Sequence, residues 1–232
     1  MVHPNIQLLE RAAESLGELL AQFVFVGGST TGLMISDPAA PPSRASIDID
    51  AIVRLESRAD YYRLGKELRA RGFVEDQSGD APLCRWRLDD LVLDVMPTEE
   101  TVLGFSNRWY EHTIATAKHH RLPSGRWIRL ATPPCFLATK LEAFHSRGQR
   151  DYLSSEDMED IIAVLDGRPE IVDEVAGVDS TLRGYLIEQL TRLLASADFR
   201  QALPGHLEMS GATAGRSGQV LRRIQSIVDS EE

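Results

Sequence analysis

The chain has 232 residues, a formal net charge of −10 and a pI near 5.1, with 43% hydrophobic and 26% charged residues. That balance excludes wholesale disorder, and the acidity argues against a module that grips long nucleic acid through a broadly basic surface. No apolar run approaches the ~20 residues of a membrane-spanning helix. Met1-Val2-His3-Pro4-Asn5 shows no secretory leader, and Cys84 and Cys135 form neither a metal spacing nor a disulfide framework, so a cytoplasmic protein is expected.

Ile6, Leu9, Ala13, Leu16 and Leu20 recur at near-helical spacing and predict an amphipathic helix over 5–21. Phe23 to Val26 predicts a short buried strand that ends on Gly27-Gly28-Ser29, and a helix is expected to begin at Thr30. From Asp37 to Ser46 the prolines at 38, 41 and 42 block regular structure and predict a loop. Ile47 to Leu55 reads as a second strand, and Ala59 to Arg71 as a helix stopped by Gly72. Leu83 to Leu88 and Leu91 to Met96 read as a hairpin turned at Asp89-Asp90. Asn107 to Lys118 predicts a helix, and Trp127 to Leu130 a strand.

After Thr132-Pro133-Pro134 the texture changes to four helical patterns: Cys135 to Arg147, Ser155 to Leu165, Ser180 to Ala195 and Gln219 to Val228. The organisation expected is an α/β domain over 1–131 followed by a helical domain over 132–232, with no internal repeat.

Chemistry concentrates in carboxylates. In Ser46-Ile47-Asp48-Ile49-Asp50-Ala51 a strand would point Asp48 and Asp50 to one face and Ile47, Ile49 and Ala51 to the other. Asp94 interrupts the otherwise apolar Leu91-Val92-Leu93-Asp94-Val95-Met96. Clustered carboxylates repel and are costly to bury unless something cationic neutralises them. Hard oxygen ligands select Mg²⁺ or Mn²⁺, and no His/Cys set argues for zinc. A lone Asp-x-Asp is more often a solvated strand end than a site, and the ordered set of strand, Gly-Gly-Ser, Asp-x-Asp strand and third acid shifts that balance. Gly27-Gly28-Ser29 leads into an expected helix start, where backbone amides can cradle a phosphate.

Phe25-Val26-Gly27-Gly28-Ser29, Asp48-Ile49-Asp50 and Asp94 resemble the signature of the polymerase-β-type nucleotidyltransferase superfamily. The set is most similar to the AbiEii-type toxin nucleotidyltransferases, in which an Arg and a Ser/Thr precede Asp-Ile-Asp, as Arg44 and Ser46 do here. Lys140-Leu141-Glu142-Ala143 and Asp157-Met158-Glu159-Asp160 resemble the group's Lys-x-x-Ala and Asp-x-x-Asp elements. The likeness spans roughly residues 23–165, and the Pro-rich insertion lengthens the stretch between Gly28 and Asp48.

The resemblance implies an α/β mixed sheet flanked by helices, and transfer of a nucleoside monophosphate from an NTP to an acceptor. It also implies that Asp48, Asp50 and Asp94 hold Mg²⁺ (or Mn²⁺) and that Lys140 touches the triphosphate as a point charge. Arg44 would pair with the aspartates or hold substrate, with a solvated loop arginine as the alternative, and Asp160 would position Lys140 or the acceptor. Asp157 reads more simply as helix-start chemistry after Ser154-Ser155-Glu156. The acceptor implied is an RNA end, such as tRNA, or a protein hydroxyl, with a cognate antitoxin as partner and no membrane. The alternatives are a small-molecule nucleotidyltransferase of the aminoglycoside-modifying type and a non-catalytic nucleotide-binding relative. An RNA acceptor would call for a basic track from Arg85, Arg87, Lys118, Arg121, Arg126, Arg147 and Arg150. Trp86, Trp109 and Trp127 read as packing residues, and His119, His120 and His145 as surface histidines.

Overall fold

Phe23, Val24, Phe25 and Val26 project alternately to the two sides of a strand, and all four are buried, so both faces of the sheet are covered at this point. The computed structural model describes residues 2–79, 81–147, 151–207 and 215–230. In chain order it runs α1 (Pro4–Leu16), a 3-10 segment (Gly17–Gln22), β1 (Phe23–Val26), a 3-10 turn (Gly28–Thr30), α2 (Thr31–Met34), β2 (Ile49–Val53) and α3 (Arg58–Ala70). It continues through β3 (Val74–Glu75), β4 (Arg85–Leu88), β5 (Leu91–Pro97), α4 (Glu100–Leu103), α5 (Tyr110–Thr116), β6 (Lys118–Arg121) and β7 (Trp127–Leu130). The remainder is helical: α6 (Pro133–Arg147), α7 (Glu156–Gly167), α8 (Ile171–Ala176), α9 (Ser180–Ala195), α10 (Ala197–Leu207) and α11 (Arg216–Asp229).

Among the described residues the strands form one mixed sheet in the order β3-β4-β5-β2-β1-β7-β6. The β2–β5 and β1–β7 pairs are parallel and the others antiparallel. The fold is therefore the α/β mixed sheet with flanking helices that the sequence predicts. The chain divides into two compact units, one of residues Met1–Thr30 with Arg44–Thr132, the other of Thr31–Ser43 with Pro133–Glu232. The first holds the whole sheet with α1, α3, α4 and α5. The second is built of α2 and α6 to α11.

In the first unit, α1 packs Leu9, Ala12, Ala13 and Leu16 into the core over β2 and β5. Pro4 opens the helix, and the His3 ring accepts the Asn5 amide as its cap. The β4–β5 hairpin turns at Asp89-Asp90, with Asp89 at a φ of 53°, a left-handed conformation that Asp tolerates in two-residue turns. In the second unit α6 packs on α7 and α9, and α11 on α9 and α7. Ser155 caps α7 by accepting the Met158 amide, and Asp179 caps α9 by accepting the amides of Thr181 and Leu182.

The structure departs from expectation at several elements. The expected second strand begins at Ile49, after a bend, and Ile47 is 82% exposed rather than on an apolar face. The helix expected over Asn107 to Lys118 is only Tyr110–Thr116, because the chain turns into β6, an edge strand whose Lys-His-His-Arg sequence carries no apolar alternation. The first helix ends at Leu16, where Gly17 adopts a φ of 54°. β3, α4, α8 and α10 have no counterpart among the elements expected from the sequence, and α10 continues through Pro204.

Candidate active site

The parallel β2–β5 register sets Asp50 directly beside Asp94, and the antiparallel β4–β5 register sets Arg85 on the other side of Asp94. Lateral neighbours in a sheet point to the same face, so Arg85, Asp94 and Asp50 form one row. Arg85 donates from Nε to Asp94 Oδ1 and from Nη2 to Asp94 Oδ2, both at 2.8 Å. The same Nη2 donates to Asp48 Oδ2 at 2.8 Å. Asp48 Oδ1 also accepts the Ser46 hydroxyl at 3.2 Å. Asp94 is 6% exposed, so its charge is largely removed from water and needs this pairing.

The charge around this row is negative. Hydrogen bonding to Asp94 holds the Arg85 guanidinium above its ordinary value, and the charges of Asp94 and Asp48 reinforce that. The neighbouring Cys84 thiol is pushed up to about 12, first by burial and then by Asp94 and Asp50. Cys84 is therefore a neutral, unreactive thiol.

Gly27 sits against this row. Its φ is +75°, and a Cβ built on it would lie 1.8 Å from Asp50 Oδ2. Only glycine allows that backbone and that approach. The following turn is held by the Thr30 amide and hydroxyl, both donating to the Gly27 carbonyl. The helix expected to supply a phosphate cradle is a single turn, Thr31–Met34, so any cradle rests on the turn's own amides. Ser29 is 1% exposed, and its hydroxyl has no hydrogen-bond partner among the described residues, an uncommon state for a buried polar atom.

A residue not foreseen fixes this turn. Asn5, 1% exposed on α1, donates to the carbonyls of Gly28 at 3.4 Å and Arg44 at 3.0 Å, and accepts the Ser46 amide at 2.8 Å. One amide side chain thus ties the Gly27-Gly28-Ser29 turn to the segment that leads into Asp48. Nothing in the α1 periodicity singles Asn5 out.

Lys140 and Asp160 lie in the second unit. Lys140 Nζ is 3.0 Å from Asp157 Oδ1 and 2.8 Å from Asp160 Oδ2. Thr31 donates its hydroxyl to Asp160 Oδ1 at 3.0 Å, and Arg147 clasps both oxygens of Asp157. Lys140, Asp157 and Asp160 are 6%, 5% and 1% exposed, which makes this a buried, fully paired network. Asp157 is therefore an ion-pair member rather than a helix cap, the cap being Ser155. Burial pushes the Asp157 carboxyl up, but Arg147 and Lys140 outweigh it and hold the group below its usual range.

The basic residues expected beside an RNA acceptor are dispersed. Arg85 is committed to the aspartates, Arg87 pairs with Asp76 at 2.6 Å, and Arg147 with Asp157. Arg150 lies outside the described residues. Lys118, Arg121 and Arg126 stand on or beside the β6–β7 ribbon. Trp127, expected to pack, is instead 58% exposed and sits opposite Arg121, whereas Trp86 and Trp109 are buried.

Among the described residues no group of three or more His, Cys, Asp or Glu side chains is arranged around a common ion position. The donor chemistry of Asp48, Asp50 and Asp94 nevertheless suits a hard divalent cation. Two of the three already share a cationic partner in Arg85, and a neutralising charge is what the set demands.

The first unit is thus a mixed-sheet α/β unit in which Arg85 joins Asp48 and Asp94, and Asp50, beside Asp94 in register, stands against a tight glycine turn. No family model and no curated protein matches the sequence. Among solved structures the chain is similar to a candidate nucleotidyltransferase from H. pylori, at 12% identity over 97% of this chain and 93% of that chain, with a TM-score of 0.49. It is also similar to JHP933 from Helicobacter pylori, at 10% identity over 96% of this chain and 90% of that chain, with a TM-score of 0.47.

Proposed function

We propose that this chain is a nucleotidyltransferase of the polymerase-β type that transfers a nucleoside monophosphate from an NTP to an acceptor hydroxyl. The observation that carries the reading is the row in which Asp50 and Asp94 stand in register on adjacent strands, with the Asp50 carboxylate against Gly27. Asp48, Asp50 and Asp94 would hold Mg²⁺ or Mn²⁺, which when bound supplies charge stabilisation for phosphoryl transfer. The buried Ser29 hydroxyl and the amides of its turn would bind the phosphates of the NTP. Asn5 keeps that turn and the Asp48 segment in fixed relation. Asp94, least exposed of the group, would set the direction from which the acceptor hydroxyl meets the α-phosphorus. A bond forms from the acceptor oxygen to that phosphorus, the bond to pyrophosphate breaks, and the hydroxyl proton leaves to a neighbouring carboxylate or water.

The acceptor we favour is an RNA end. β7 is separated from β2 by β1 alone, and the β6–β7 ribbon exposes Trp127 opposite Arg121, with Lys118, His119 and Arg126 close in sequence. Interleaved cations and an exposed aromatic ring suit a phosphodiester strand with unstacked bases. Within this reading the Lys140–Asp157–Asp160 network acts as a structural ion-pair cluster of the helical unit, Arg44 borders the site through the Asn5 clamp, and an antitoxin partner is a further part of the proposal.

The test is incubation of the protein with each α-labelled NTP and total cell RNA, then with cell protein. Label in an RNA fraction that requires Asp50 supports the reading. Label in protein alone moves the acceptor, and label in neither, with transfer only to a small cationic acceptor, favours the aminoglycoside-type alternative.

A further inference from the structure

We propose that Arg85 is the resident cation of the carboxylate site, and that a divalent ion enters only by displacing its guanidinium. Metal loading is then an exchange rather than an addition. The inference rests on the metal-site reading given under Proposed function, and adds to it a residue that no feature of that reading requires.

Three observations carry it. First, the guanidinium occupies both oxygens of Asp94 and one oxygen of Asp48 with three bonds of 2.8 Å. A planar fork set bidentately on a carboxylate uses the same lone pairs that a bound ion would use. Second, the arrangement is imposed by the fold, because Arg85 is the lateral neighbour of Asp94 just as Asp50 is on the other side. Strand register therefore delivers a cation to the row every time the sheet forms. Third, the group can leave: Arg85 is the first residue of β4, and its side chain is 21% exposed against 9% for Asp94. A long side chain at a strand end swings into water at little backbone cost, whereas Asp94 is buried within β5.

The exchange explains how three acids can be kept close in a stable protein without an obligatory ion. One guanidinium offsets part of their repulsion, and a divalent ion offsets more. It also predicts weak binding, since the ion must compete with an intramolecular partner at high effective concentration.

The experiment is Mn²⁺ binding by titration calorimetry and electron paramagnetic resonance on the wild-type chain, R85Q, D50N and the R85Q/D50N pair. The expected result is binding at least tenfold tighter in R85Q than in wild type, lost in both proteins that carry D50N. Equal or weaker affinity in R85Q, with binding still lost in D50N, overturns the exchange and leaves the metal site standing. Binding that D50N does not change in either background overturns the metal reading itself. A second measurement needs no variant fold to survive. The Arg85 Nε–H resonance of the ¹⁵N-labelled wild type, recorded as Mg²⁺ is added, should lose its hydrogen-bonded shift. A resonance that keeps that shift at saturating Mg²⁺ overturns the exchange.

Discussion

Gly27 bears the tightest steric constraint of the candidate site, and its substitution separates geometry from stability. A left-handed non-glycine residue costs roughly 1–2 kcal/mol, and at φ +75° the new methyl would meet Asp50 Oδ2 at 1.8 Å. Gly27→Ala should therefore fold with a modest loss of melting temperature while the Asp50 carboxylate is pushed out of the row. Displacement of a reacting group by about 1 Å lowers turnover on the order of 10²-fold. Thermal melts and transfer rates on the same preparation check this, and retained activity with an unshifted melt would show that the turn relaxes freely. Lys140 behaves differently. Removing the lysine takes the ammonium partner from the buried Asp160 while Asp157 keeps only Arg147, a loss of about 3–5 kcal/mol, so Lys140→Ala should fail chiefly in stability. A Lys140→Ala protein that melts like wild type but binds NTP poorly would return Lys140 to the triphosphate.

How much of the site could be read from the sequence depends on the range over which each residue acts. Asp48, Asp50, Asp94 and Gly27 are visible because their neighbours in sequence define them: an apolar strand, a glycine pair, an acid in an apolar run. Asn5 is invisible because its three partners come from residues 28, 44 and 46. Arg85 lay within reach. A hairpin turned at Asp89-Asp90 pairs Leu88 with Leu91, and counting outward sets Arg85 opposite Asp94.

At the scale of elements, the same contrast explains the missed pieces of the fold. β1, β5 and α9 carry strong periodicity or continuous apolar runs and were foreseen. β6 is an edge strand of polar residues, and α10 contains Pro204 and Gly205, both poor helix formers, so local propensity spoke against each. Element α7 supplies a prediction in pH. The folded-state value of Asp157 is depressed, so its ion pairs stabilise the protein fully above the unfolded-state value of about 3.9. That contribution is lost as pH falls through the lower folded value. Unfolding free energies of wild type and Asp157→Asn, measured from neutral to acid pH, should differ most above pH 5 and converge in acid. A gap that is constant with pH would mean that Asp157 contributes packing and not charge. The buried Asp166 works in the opposite sense, since burial outweighs Arg216 and raises its value, so its part of the stability declines as pH rises through the window.

At the scale of the whole molecule, a net charge of −10 would have to coexist with the proposed anionic substrate. A cation in the carboxylate row and a cationic ribbon at the β6 edge of the sheet would offset that charge locally. If the β6–β7 ribbon binds RNA, affinity should fall steeply with added salt. Trp127→Ala should then cost about 1–3 kcal/mol of binding by losing one stacked base. Filter binding at graded salt checks both, and a flat salt response with an indifferent Trp127→Ala would move the acceptor to a small molecule. No helix among the described residues is long and apolar enough to cross a membrane, and the candidate site needs none.

The most direct test of the central claim is transfer of labelled nucleotide by the Asp50→Asn protein. The substitution keeps the size of the side chain and removes a charge from the row, so the melting temperature should hold or rise as carboxylate repulsion is relieved. Transfer of label from α-labelled NTP to the acceptor is predicted to vanish. Wild-type turnover in a folded Asp50→Asn protein would contradict the account.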